Sequence, residues 1–114
     1  MPDEAFEIYW HLRGGPELLG LHELFSGLTV PAEKVQQALG LTQEQLRVAT
    51  RAAASLGFIE ASEQSITFFA LAPDSSQRGR LDWCLEPHAQ ELVALTARLK
   101  SQLLIRFLST PPAA

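Results

Sequence analysis

The chain is poor in the residues that mark several large classes of protein. It has one cysteine, one methionine and one tyrosine in 114 residues. Cys84 has no second thiol to bond, so an internal disulfide is excluded, and no Cys-x-x-Cys pair offers a frame for structural zinc. No apolar run approaches the roughly 18 residues that a membrane-spanning helix requires. There is no Gly-rich phosphate loop and no glycine-flanked nucleophile elbow, and Ser26 and Ser55 stand in helical contexts. On these grounds no enzymatic activity, cofactor or metal is expected. Basic residues are also few, with 9 Lys and Arg against 13 Asp and Glu and a net charge of -4, which excludes a polybasic arm. The first residues, MPDEAFEIYWHL, carry acids where a secretory signal carries Lys or Arg. A cytoplasmic protein without membrane association is therefore expected.

What is present is a hydrophobic fraction of 46% with 19% charged residues, a balance that suits one globular domain over residues 1–114. Phe6, Tyr9, Trp10 and Arg13 recur at helical spacing, so residues 1–15 are read as an N-terminal helix closed by Gly14-Gly15. Pro16 suits a first helical position, and Leu18, Leu19, Leu21, Leu24, Phe25 and Leu28 predict a well-buried second helix. A third helix opens near Pro31, buries Val35, Ala38 and Leu39, and stops at Gly40. Thr42 and Gln45 form the Thr-x-x-Gln pattern in which each side chain caps the other's backbone, predicting a fourth helix to Leu56. A turn as short as Gly40-Leu41-Thr42 forces the two helices to cross steeply. After Gly57, Ile59, Ile66, Phe68 and Phe69 supply the β-branched and aromatic pattern of a hairpin that turns at Glu63 and Gln64. Residues 74–86 read as a polar connector, and residues 87–109 as a long C-terminal helix ended by Pro111-Pro112.

This order, in ALGLTQEQLRVATRAAASLGFIEASEQSITFFALA, resembles the winged helix-turn-helix superfamily, most nearly regulators of the arsenic-repressor and multiple-antibiotic-resistance-repressor types. The resemblance covers residues 16–73. It implies a mainly α fold with a small β-hairpin and flanking N- and C-terminal helices, and a DNA-binding transcriptional regulator. The metal-sensing cysteines of the arsenic type have no counterpart in PAEKVQQAL, so that role is not carried over.

The fourth helix has two faces at about 100° per residue. Leu46, Ala49, Ala53 and Leu56 form the core side, while Gln43, Glu44, Arg47, Thr50 and Arg51 form the candidate reading face. Gln and Arg can each bond a base edge twice, and Thr can meet phosphate or a thymine methyl. A plain alternative is a solvated face on which Glu44 and Arg47 pair with each other. Residues 31–73 hold Lys34, Arg47 and Arg51 against Glu33, Glu44, Glu60 and Glu63, and the hairpin turn carries Glu63 where a DNA-binding wing offers a cation. That balance keeps open a protein-interaction module or a subunit of a larger complex. Arg78 and Arg80 are candidate phosphate contacts in the connector.

Leu92, Leu95, Leu99 and Leu103, widened by Val93, Leu104, Ile105 and Leu108, give the last helix more apolar surface than one seam needs. A homodimer formed through this helix and the aromatic N-terminal one is expected, with packing on the chain's own body as the alternative. A third class, a ligand-sensing regulator with an apolar pocket between these helices, rests on the same residues. Asp82, Cys84, Glu86, His88 and Glu91 could be gathered as metal ligands, but a lone thiol between Trp83 and Leu85 reads as packing. His11 and His22 read as ordinary helix histidines.

Overall fold

A computed structural model describes residues 4–109, six α-helices and three short strands. Helix α1 (Glu4–Trp10) spaces Phe6, Tyr9 and Trp10 to fall on one side, and all three are buried. Helix α2 (Gly15–Phe25) begins with Pro16 at its start and buries Leu18, Leu19, Leu21 and His22. The Tyr9 hydroxyl donates to the Gly15 carbonyl and ties the two helices together across their turn. Burial, and secondarily the Glu17 carboxylate, raises the Tyr9 phenol well above its ordinary range.

Strand β1 (Thr29–Pro31) leads into α3 (Ala32–Leu39), and α4 (Gln43–Leu56) follows after three residues. Gly40 ends α3 at φ 65°, a left-handed conformation that suits glycine, and its N–H reaches the Gln36 and Gln37 carbonyls. Thr42 Oγ1 accepts from the Gln45 N–H at 3.1 Å, and Gln45 Oε1 accepts from the Thr42 N–H at 3.0 Å. The reciprocal cap read from the sequence is present, and α3 and α4 are separate helices. Strands β2 (Ile59–Ala61) and β3 (Ser65–Phe68) form the hairpin.

The expected hairpin is part of a three-stranded antiparallel sheet in the order β1-β3-β2. Residues 29–31, where the sequence predicts no strand, pair with β3 at Thr29↔Thr67, Val30↔Ile66 and Pro31↔Ser65. A facing hydroxyl pair, Thr29 and Thr67 at 3.0 Å, adds to that register. Ile59, Ile66 and Phe68 point into the core, where Phe58 meets the Tyr9 ring edge-on at 5.7 Å.

The connector is a second departure. Ser76–Leu85 form helix α5, whose Ser75 side chain accepts from the Arg78 N–H. Its apolar residues Leu81, Cys84 and Leu85 are buried near its C-terminal end. A short 3-10 turn, Glu86–His88, joins it to α6 (Ala89–Ser109). The side chains of Leu104, Ile105, Phe107 and Leu108, and Pro111-Pro112, lie outside what is described.

Helix α6 lies against α2, burying Leu92 and Leu99 and half-burying Leu95 and Leu103. The approach is close because Gly20 has no side chain. A methyl group there would come within 2.8 Å of Leu99 Cδ1. Of the residues expected at a dimer interface, Phe6, Tyr9, Trp10, Leu92 and Leu99 are buried within the one chain, and Leu95 and Leu103 are half-buried. Among the described residues no helix is long and apolar enough to cross a membrane.

Candidate nucleic-acid interface

The turn at Gly40-Leu41-Thr42 places α4 so that its core side packs beneath and its outer side is open. Leu46, Ala49 and Ala53 are buried, whereas Gln43, Glu44, Arg47, Val48 and Arg51 are exposed. Between α3, α4 and the β2–β3 turn runs an open groove of about 1230 Å³. Helix α4 contributes Gln43, Arg47, Thr50 and Arg51 to it, α3 contributes Glu33, Gln36 and Gln37, and the turn contributes Ser62, Glu63 and Gln64.

Four of the five candidate residues share the exposed arc of α4. Thr50 differs, because it is 7% exposed and its hydroxyl donates to the Leu46 carbonyl at 2.8 Å and the Arg47 carbonyl at 3.1 Å. That donor is bonded within its own helix, although Thr50 still lines the groove. Arg47 Nη2 binds Glu44 Oε2 across one turn, and both side chains are about two-thirds exposed. A pair so placed adds roughly 0.3–0.5 kcal/mol to the helix, so its disruption by a ligand is inexpensive. The Arg51 guanidinium has no hydrogen bond or ion pair among the described residues. Of the charged side chains that line the groove, Arg47 and Arg51 balance Glu33 and Glu63.

No family model, curated protein sequence or solved structure matches this chain. The assignment of a role therefore rests on the arrangement itself.

Sequence reasoning missed Val48, a 45% exposed apolar side chain on the outer arc, on the far side of Arg51 from Arg47. Its signal is the helical spacing of 44, 47, 48 and 51, which sets an apolar residue among polar ones. The contribution of α3 was missed as well, since Glu33, Gln36 and Gln37 are far in sequence from the hairpin turn that shares their groove.

The remaining candidates are dispersed. Arg78 is in α5, bound to Glu23 at 3.3 Å and Asp82 at 3.0 Å, rather than held out toward a phosphate. Cys84 is buried. His88 bonds Glu7 at 3.0 Å and stacks on Trp10 with ring centres 4.3 Å apart, clasping the 3-10 turn to α1. No group of three or more His, Cys, Asp or Glu among the described residues is placed to hold a metal ion. His11 is exposed in the turn after α1, outside the helix expected to contain it. His22 is 1% exposed, with Nε2 on the Phe69 carbonyl at 2.8 Å and Nδ1 buried without a partner. Desolvation is the main cause lowering its pKa from the ordinary histidine value.

Proposed function

We propose that residues 16–73 form a winged helix-turn-helix that lays α4 in the major groove of duplex DNA, within a cytoplasmic regulator of transcription. The major groove, about 12 Å wide, accepts an α-helix. One observation carries the reading. The outer arc of α4 holds Gln43, Arg47 and Arg51 exposed on a capped helix set off from α3 by a three-residue turn. Gln36 and Gln64 line the walls on either side and can donate to phosphate oxygens. Val48 is suited to a thymine methyl. Nothing in this reading calls for a cofactor or for enzymatic chemistry.

A homodimer would set two such helices one duplex turn apart on a palindromic site. Ile8 and Val93, 60% and 70% exposed on α1 and α6, are apolar side chains open to such contacts, beside the half-buried Leu95 and Leu103.

A second reading, a winged-helix module that binds protein, is favoured by Glu33 and Glu63 on the groove walls and by the tie between Arg47 and Glu44. A low-salt gel-shift titration against mixed genomic fragments separates the two. The DNA reading predicts retarded complexes that weaken with added salt and are lost when Arg47 and Arg51 are both replaced by Ala. Absence of any salt-sensitive duplex complex decides for the protein partner.

A further inference from the structure

We infer that Glu44 and Arg47 act together as a reader of one G·C base pair, with Glu44 the residue that sets specificity. The inference rests on the duplex-binding reading given above and names the sequence feature that α4 would seek.

The two side chains reach the solvent as a joined donor–acceptor pair. Arg47 Nη2 donates to Glu44 Oε2, while Glu44 Oε1 and the other guanidinium N–H groups have no partner among the described residues. Both side chains are exposed, and they occupy the first turns of α4, the part of a recognition helix that meets base edges. In the major groove a G·C pair offers the guanine N7 and O6 acceptors beside the cytosine N4 donor. O6 and N4 are hydrogen-bonded to each other at about 2.9 Å, a spacing a contacting guanidinium and carboxylate can match. Arg47 would donate to O6 and N7 while Glu44 accepts from N4. An A·T pair faces the guanidinium donor against donor, because adenine sets an N–H₂ where guanine has O6, and the reversed T·A pair offers it O4 alone, with the thymine methyl where guanine has N7.

A carboxylate here also works against sequences that set an acceptor before it. It can only accept, so it repels phosphate oxygens and the acceptor edges of the wrong base. Glu44 thereby lowers non-specific affinity, and Arg47, which alone would bind any phosphate, becomes selective. This accounts for an acid on the face where a DNA-binding helix otherwise gathers cations.

The test is enrichment of duplexes from a randomised pool by the wild-type chain and by the E44A and E44Q variants, with affinity for one fixed unrelated duplex measured alongside. Glu44 is exposed and outside the capping pair, so both variants keep the fold, checked by circular dichroism. The wild type is expected to select G·C at one position per half-site. E44A should reduce preference at that position about tenfold and bind the unrelated duplex several-fold more tightly. E44Q should move the preference toward A·T, because a glutamine amide matches adenine N6 and N7, a change that a merely structural role would not produce. If the wild type enriches a site and neither variant alters the selected base or the non-specific affinity, the inference falls and the duplex reading stands. If the wild type enriches no duplex at all, both fall.

Discussion

Replacing Thr42 with Ala removes one half of the cap that starts α4. The hydroxyl satisfies the Gln45 N–H, and without it the Gln45 side chain loses the reciprocal geometry that satisfies the Thr42 N–H. Thr42 is exposed, so water can reach the freed N–H groups, and the loss should be about 1 kcal/mol rather than the larger penalty of a buried orphan. With unfolding entropy scaling as roughly 2.1 cal/mol/K per residue, a chain of 114 residues should lose about 4 °C in Tm. Differential scanning calorimetry at neutral pH measures this directly. Thr42→Ser should recover most of the loss, and Thr42→Asp should hold Tm near wild type because a carboxylate caps and complements the helix dipole. The same Asp adds a negative charge beside the proposed reading face, so Thr42→Asp should weaken duplex binding while Thr42→Ala does not. An unchanged Tm in Thr42→Ala would refute the capping argument. Equal duplex affinity in the Asp variant and the wild type would count against the placement of DNA on this end of α4.

Tyr9 is the chain's single tyrosine, so its absorbance reports one site. Because burial raises its pKa, the folded protein should show no phenolate signal near pH 10, and the signal should appear only together with loss of helical circular dichroism. His22, with its pKa lowered by burial, should contribute stability that is present above the unfolded value near 6.5 and is lost as pH falls below it, because the unfolded chain there binds the proton more readily. Urea titrations from pH 7.5 to about 5.5 should therefore show a declining midpoint, and a flat profile would contradict the neutral buried ring. Replacing Ile8 and Val93 together with Asp should shift sedimentation from dimer to monomer while the helical circular dichroism at about 25 °C is kept, since both side chains are exposed in the single chain. No change in sedimentation would remove those residues from the interface.

The parts of the fold legible in the sequence were those set by local chemistry. Gly40, Thr42 and Gln45 fix the start and stop of two helices through contacts within a few residues, and each is found in its expected role. Strand β1 was not legible because its three residues gain their hydrogen bonds from β3, some 36 residues later. Helix α5 was hidden by its composition, since Ser75, Ser76, Gly79 and Asp82 are turn formers and its apolar residues come only near the end. The spacing of the α1 aromatics and the α6 leucines shows an apolar face but not what covers it, and Phe6, Tyr9, Trp10, Leu92 and Leu99 are covered within the one chain. Gly20 contributes by letting α6 approach α2. Within the candidate site, the exposed arc of α4 followed from helical period, whereas Thr50 sits at the border between faces. Its back-bond to Leu46 depends on which side the core takes.

The central claim is that the outer face of α4 meets duplex DNA, and amide chemical-shift mapping of the labelled chain on addition of duplex tests it most directly. The account predicts that the largest shifts fall on Gln43, Glu44, Arg47, Val48 and Arg51, with smaller ones at Gln36 and at Ser62 to Gln64, and that added salt reverses them. Shifts concentrated on α5 and α6 with α4 unaffected, or none under low-salt conditions, would contradict it.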